Sequence, residues 1–301
     1  MADSSSSSSG ALVAPLLDQF GQTYAQEAGI RLADKPSPLY ELLVLAMLLS
    51  ARISADIAVA AARELYAAGY RTPRAMQEAS WQDRVDALGR GHYKRYDERT
   101  ATMLGDGAAL ALDRWHGDLR RLRDEADGEP RAVGRLLQEF PGIGPAGAAI
   151  FLREVQGVWP SVAPYLDDRV RQGARELGWS DEPGALARRA GSAEDLARLA
   201  AALVRVTLTK NAPEQVRRAA GDHGGVSTER GPGPGLLGSA GPLLAVIRGA
   251  ASRGWGSPPA GRGPRPRCGP GWPRRPWRRR RWPRRSRRPA GPCARRAGPG
   301  W

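Results

Sequence analysis

The stretch from Phe140 to Leu177 reads FPGIGPAGAAIFLREVQGVWPSVAPYLDDRVRQGAREL, and two features in it decide how the rest of the chain is interpreted. The first is a tight turn, residues 141–145, between two helical patterns. The second is an acidic pair, Asp167 and Asp168, at the head of a third helical pattern. Both features lie at predicted helix starts, where backbone N–H groups lack intrahelical partners and the helix dipole is positive.

The turn has the composition of an anion-binding segment. Gly142 and Gly144 are expected to allow positive φ and close backbone approach, and Pro145 suits the first turn of the next helix. The free N–H groups there can hold an anion such as a DNA phosphate. Asp167 opens another helix, where the dipole favours its ionised form. A phosphate-binding turn followed by a fixed carboxylate indicates chemistry on a nucleic acid.

Five segments carry a family resemblance. FPGIGPAGAA resembles the helix-hairpin-helix of the endonuclease III-like DNA glycosylase superfamily, and LDDRVRQGARELGW resembles the segment that holds the catalytic aspartate in that family. Residues 48–66 (LLSARISADIAVAAARELY), 72–76 (TPRAM) and 96–101 (YDERTA) are similar to three further landmarks, and all five stand in the family's order. The resemblance covers roughly residues 37–210.

Helical patterns joined by short connections predict an all-α domain over residues 11–220. The resemblance implies a two-lobed helix-hairpin-helix glycosylase fold, with a central lobe at about 37–158. The second lobe would combine residues 11–36 with 159–220, and the DNA cleft would lie between the lobes. The pattern over residues 11–29 predicts a helix whose apolar spacing is interrupted by Pro15, whereas Ser37 and the apolar run after it predict a capped, buried helix.

The resemblance assigns the catalytic carboxylate to the acidic pair. Aligning Asp167 with the family's aspartate places Val170, Ala174 and Leu177 at apolar family positions. A second alignment, which follows relatives with their own Asp-Asp pair, favours Asp168 instead. A third interpretation makes both residues simple helix caps.

For DNA contacts the resemblance implies the hairpin residues Gly142, Ile143, Gly144 and Ala146. Ala146 occupies the position where bifunctional members carry a Schiff-base lysine. The three lysines of the chain lie elsewhere, at Lys35, Lys94 and Lys210. A monofunctional enzyme is therefore expected. Gly147 replaces the family's usual Thr or Ser.

Arg52 stands where relatives often have the glutamine that fills the gap left by a flipped base. It is expected to fill that gap or bind a phosphate, with an ordinary surface salt bridge as the alternative. Tyr93 and Tyr96 are expected either to pack in the core or to contact DNA.

The charge of the chain is concentrated in its C-terminal part. From residue 221 onward there are 18 Arg and no Lys against two acidic residues, a net charge of +16. The whole chain carries +15, so the preceding 220 residues carry −1 and do not form a basic body. Residues 1–10 are Ser-rich, and both they and residues 221–301 are predicted to be disordered. The tail is interpreted as an out-of-frame reading of a G/C-rich gene, as a bland appendage, or as a nucleic-acid-binding arm.

Cofactor signals are absent from the sequence pattern. Cys268 and Cys293 are the two cysteines, and they match no zinc or iron–sulfur spacing. No cofactor, no resident metal and no iron–sulfur cluster are therefore expected, and a monovalent cation at the hairpin is left open. No apolar run is long enough to cross a membrane, and the start lacks a secretory n-region. The expectation is a monomer in the cytoplasm, associated with the nucleoid.

The resulting hypothesis is a monofunctional DNA glycosylase of base excision repair that acts on double-stranded DNA. The alternative is a helix-hairpin-helix protein that binds DNA without cutting it. A lyase-competent enzyme that lacks the usual lysine is a third interpretation.

Overall fold

The computed structural model describes residues 11–223. Their regular secondary structure is helical, and these residues contain no strand. The helices are α1 (Val13–Phe20), α2 (Tyr24–Glu27), α3 (Pro36–Leu49), α4 (Ala55–Ala67), α5 (Pro73–Glu78), α6 (Trp81–Arg90), α7 (Asp97–Trp115), α8 (Leu119–Glu125), α9 (Pro130–Leu137), α10 (Pro145–Val155), α11 (Asp168–Glu176), α12 (Pro183–Ala190), α13 (Ala193–Val206) and α14 (Ala212–His223). The all-α prediction is confirmed for this part of the chain. The predicted leader and the predicted tail beyond residue 223 lie outside the described residues.

Helix α3 lies at the centre of the first core. All of its residues from 39 to 48 are buried, as its nearly continuous apolar sequence predicted. The start of the helix differs from the prediction, because it begins at Pro36 and Ser37 is not its cap. The Ser37 hydroxyl instead donates to the Glu41 carboxylate (3.1 Å) and to the Arg71 carbonyl oxygen (3.0 Å).

The described residues form two hydrophobic cores. The first gathers the buried faces of α2–α10, and the second gathers those of α1 and α11–α14. Ala25 and Ile30 belong to the first core, as do Trp159 and Val162, although the sequence assigned these positions to the second lobe. The second core takes Leu16 and then resumes at Leu166. The chain therefore crosses between the cores near residues 21–23 and again near 165–166.

Helix α10 connects the two halves. It packs against α3 and α9 on one side and against α13 on the other. All of these helices belong to one compact unit of the chain. A single helix that contacts both cores can fix the position of groups attached to either of them.

Buried Arg84 anchors the start of α7. Its guanidinium donates to the carbonyl oxygens of Ala101 (2.9 Å), Met76 (2.9 Å) and Ala79 (2.7 Å). These bonds tie the end of α5 and the start of α6 to the first turns of α7, and they satisfy buried donors that would otherwise be penalised. Over residues 11–223, no helix is long and apolar enough to cross a membrane.

Candidate functional site

The turn before α10 adopts a compact hairpin. Phe140 is buried and stacks on Trp115 at 5.3 Å between ring centroids. The Ile143 amide donates to the Phe140 carbonyl oxygen at 3.0 Å, and the Ile143 side chain is buried. Gly142 has φ of +84°, a region that favours glycine. Gly144 lies outside that region, because its φ of −98° and ψ of −170° are ordinary extended backbone. Of these two glycines, Gly142 uses the positive φ that glycine allows and Gly144 does not.

The start of α10 is open to an anion. No side chain caps this helix, and Pro145 occupies its first turn. A Cβ atom added to Gly144 would meet nothing within 4 Å, so the space in front of the helix is empty. Gly142 and Ala146 are exposed. The free N–H groups of the first turn can therefore receive a phosphate oxygen directly.

Ser50 fixes the hairpin to the end of α3. Its hydroxyl lies 3.1 Å from the Gly142 carbonyl oxygen and 2.7 Å from that of Met47. Gly147 is buried against the same serine, and a Cβ added there would lie 3.3 Å from the Ser50 Cβ. Glycine at position 147 therefore allows α10 to approach Ser50 closely.

Three carbonyl groups of the hairpin are engaged in hydrogen bonds within the protein. The oxygens of Phe140, Gly142 and Gly144 already accept hydrogen bonds from Ile143, Ser50 and Ala148, respectively. A monovalent cation at the hairpin stays a prediction. Among residues 11–223, no group of three or more His, Cys, Asp or Glu side chains is arranged to hold a metal ion. Cys268 and Cys293 lie outside the described residues.

Asp167 is the N-cap of α11. One carboxylate oxygen, Oδ1, accepts the Val170 amide at 3.0 Å, and Oδ2 accepts the guanidinium of Arg153. The exposed fraction is 18% for the Asp167 side chain and 11% for that of Arg153. Asp168 is exposed in the first turn of α11, and the described residues provide it with no hydrogen-bond or ion-pair partner. One carboxylate is thus fixed and paired, whereas the other is free.

The aspartate and the hairpin are attached to the same helix. Arg153 follows Ala146 by seven residues, or two helical turns, so both lie on one face of α10, about 10 Å apart along the axis. The side chain of Gln156, fully buried, accepts the Tyr165 amide (2.9 Å) and donates to the Tyr165 carbonyl oxygen (3.2 Å). Arg153 and Gln156 therefore hold the segment that leads into Asp167 against the C-terminal half of α10.

Glu154 performs the corresponding task for the N-terminal crossing. Its buried carboxylate accepts the amides of Ala25 (2.9 Å) and Tyr24 (3.2 Å). Burial raises the pKa of Glu154, and the two backbone amides oppose that shift. Because Glu154 is buried and its oxygens accept two backbone amides of α2, this carboxylate holds α2 against α10.

The sequence reasoning missed the functions of Arg153, Glu154 and Gln156. Their only signal is that they are polar residues near the end of an otherwise apolar helix, AAIFLREVQ. That pattern marks buried polar contacts, but it does not identify the partners.

A cavity of about 420 Å³ adjoins the hairpin. Met47, Tyr93 and Thr100 are buried and form its floor, and the exposed side chains of Arg52 and Arg99 lie on its rim. Arg52 forms no ion pair with any of the described residues, so the salt-bridge interpretation is not supported.

The two tyrosines differ in burial. Tyr93 is buried, as core packing predicted, but it also lines the cavity. Tyr96 is half-buried, and the guanidinium of Arg95 lies 5.2 Å from its ring centroid.

The structure brings only some of the predicted residues together. Gly142 and Arg52 both line the cavity, whereas Asp167 and Asp168 do not. Comparison of the chain with protein-family models, with curated proteins and with solved structures finds no match.

Proposed function

We propose that this chain is a monofunctional DNA glycosylase, which hydrolyses the N-glycosidic bond of a damaged or mispaired base in double-stranded DNA. One observation carries the proposal: α10 has an uncapped, accessible N-terminus at one end and binds the Asp167 carboxylate through Arg153 toward the other. A phosphate held at the hairpin would therefore stand at a fixed distance from the Asp167 carboxylate.

The chemistry requires the target nucleotide to leave the base stack. As the N-glycosidic bond breaks, positive charge develops on the sugar, and a fixed carboxylate nearby stabilises that charge. The same carboxylate can orient the attacking water or accept a proton from it. Asp167 is proposed for this role because two hydrogen-bonded contacts hold it, and Asp168 is the alternative because it is unpaired.

The absence of a lysine at position 146 supports hydrolysis rather than covalent catalysis. Ala146 is exposed in the first turn of α10 and offers no amine. Lys94 is the lysine whose sequence neighbour, Tyr93, lines the cavity, and it would be the candidate amine if an imine did form.

A non-catalytic DNA-binding protein is the second candidate. The observation that favours it is the ion pair itself, since the charge of Arg153 offsets that of Asp167 and reduces its effect on a cationic sugar. The open hairpin would serve binding alone equally well.

A panel of duplexes that each carry one lesion distinguishes the two candidates. Strand breakage after alkali, with intact strands before it, would identify base release by a monofunctional enzyme. Binding to the same duplexes without base release from any of them would favour the non-catalytic candidate.

A further inference from the structure

The cavity beside the hairpin has an uneven distribution of charge. Two guanidinium groups, those of Arg52 and Arg99, lie on its rim, and no acidic side chain of residues 11–223 lines it. Neither arginine forms an ion pair with the described residues, so no carboxylate in contact neutralises either guanidinium. A ligand that enters this cavity therefore meets two guanidinium groups and no carboxylate in its lining.

The floor of the cavity offers an aromatic surface and a hydrogen-bond donor. Thr100 Oγ1 donates to the Tyr93 phenol oxygen at 3.4 Å, which leaves the phenol proton available to another acceptor. Burial raises the pKa of Tyr93, so its hydroxyl remains protonated near neutral pH. The thioethers of Met47 and Met103 provide polarisable apolar contacts for a flat ring.

The volume and lining suit a planar heterocycle with hydrogen-bond acceptors. The guanidinium and phenol groups donate, whereas no carboxylate is present to accept from or neutralise a cation. A carbonyl oxygen on a neutral base would find donors here. A base that carries a positive charge would be repelled by both arginines.

We infer that this cavity receives an unstacked, neutral nucleobase that bears carbonyl oxygens, as deaminated and oxidised bases do, and that it discriminates against alkylated, cationic bases. The inference rests on the proposed function for its DNA ligand, but it concerns recognition and is independent of catalysis. It narrows the substrate class to bases with exocyclic oxygen.

The test measures binding, so that it does not depend on base release. Two duplexes carry hypoxanthine, which is neutral with a carbonyl oxygen, or 1-methyladenine, which is cationic. Each lesion stands opposite an abasic-site analogue, which removes differences in base pairing. A 2′-fluoro substituent on the lesion sugar disfavours the cationic sugar and prevents cleavage. The full-length chain is used, and each affinity is divided by that for the undamaged duplex, which cancels nonspecific binding by the Arg-rich C-terminal residues.

The wild-type chain should prefer hypoxanthine over 1-methyladenine by ~10-fold, the effect of one like charge about 6 Å away at an intermediate effective dielectric. Arg99→Met should lower this ratio, because it removes one of the two like charges on the rim. Arg74→Met is the matched control, because Arg74 is exposed and lines a separate depression with Leu112 and His116 at the other end of α7. It should leave the ratio unchanged.

The outcomes separate the two proposals. If Arg99→Met weakens binding to every duplex equally, Arg99 contacts phosphate and the inference fails. A preference for 1-methyladenine, or none, also overturns it. A hypoxanthine preference that depends on Arg99, without base release from any lesion, would leave the cavity assignment standing and refute the glycosylase. Base release without such a preference would do the reverse.

Discussion

Asp167 and Arg153 form an ion pair between the start of α11 and the last turns of α10, although 14 residues of sequence separate them. Both side chains are largely shielded from water. A shielded charge is stable only when it is paired and hydrogen-bonded, so each residue depends on the other. In the proposed reaction, Arg153 positions the carboxylate and does not touch the substrate.

The first prediction concerns the carboxylate. Asp167→Asn keeps a side chain that can cap α11 but removes the charge, so base release should fall by ~10²-fold or more. DNA affinity should stay within a few-fold. Single-turnover rates on an alkali-cleavable lesion duplex measure the effect, and Asp168→Asn is the neighbouring control with a smaller expected loss. The opposite ranking would assign the catalytic role to Asp168.

The second prediction concerns Arg153. Arg153→Met should lower base release because the carboxylate loses its orientation, whereas Arg153→Lys, which retains the charge, should recover part of the rate. Removing one partner of a shielded pair should also reduce the free energy of unfolding by roughly 3 kcal/mol. Rates are therefore measured well below each variant's melting temperature.

A double-mutant cycle separates positioning from a general structural effect. If Arg153 acts through Asp167, Arg153→Met should have little further effect on base release in the Asp167→Asn background. Fully additive losses would show that Arg153 acts independently, and the positioning role would be abandoned.

The third prediction separates the two hairpin glycines. Gly142→Ala must adopt φ near +84° and would place its Cβ 3.0 Å from the Met103 sulfur, so it should destabilise the protein by about 1–2 kcal/mol. Gly144→Val faces no such restriction, because the backbone is extended and nothing lies within 4 Å of the added Cβ. It should leave the melting temperature nearly unchanged.

DNA affinity should be lowered by substitution at Gly144, whereas stability should be lowered by substitution at Gly142. Gly144→Val should weaken affinity for any duplex sequence, since it occupies the space through which a phosphate would reach the α10 amides. Fluorescence anisotropy with two unrelated duplexes checks this point. If a folded Gly144→Val variant binds DNA with the affinity of the wild type, the hairpin is not part of the interface.

The fourth prediction concerns the product. Because Ala146 offers no amine, the wild-type reaction should leave an intact abasic strand that breaks only on alkali or heat. Borohydride should trap no covalent adduct. A trapped adduct that disappears in Lys94→Ala would identify Lys94 as a nucleophile and the enzyme as a lyase.

The fifth prediction concerns Glu154 and pH. Burial raises its pKa in the folded protein above the usual value of 4.5, so ionisation costs more in the folded state than in the unfolded state. Its contribution to stability is therefore largest below the unfolded pKa and falls as pH rises through the folded pKa. The difference in unfolding free energy between wild type and Glu154→Gln, measured from pH 4 to 8, should shift against the wild type. A difference that grows in favour of the wild type would show that the backbone amides outweigh burial.

Local signals in the sequence accounted for much of the fold. The apolar run after Ser37 predicted a buried helix, and α3 is buried along its length. The prediction of one helix over residues 11–29 was wrong, although Pro15 is tolerated in the first turn of α1. The helix ends at Phe20, and the Thr23 side chain then caps a separate helix. A helix cap depends on the side chains of several neighbouring residues, so the apolar pattern alone did not show that the first helix ends at Phe20.

The site depended on contacts that sequence patterns do not encode. The sequence predicted Asp167 at a helix start, and the structure confirms that position. The prediction was possible because a capping aspartate is a local feature. Its partner Arg153, and the bonds from Gln156 to Tyr165, depend on how the chain returns to α10 after a loop. The cavity likewise combines residues from three separated segments, and no single stretch indicates it.

The continuous helix from Pro145 to Val155 determines which insertions and deletions the chain tolerates. One residue added between Ala149 and Ile150 would turn Arg153 by about 100° and displace it by 1.5 Å, separating it from Asp167 while leaving the hairpin in place. A residue added to the loop at 178–182 would change neither the distance from the hairpin to Arg153 nor that from Arg153 to Asp167. Length variation among descendants of this sequence should therefore collect in that loop and be excluded from α10.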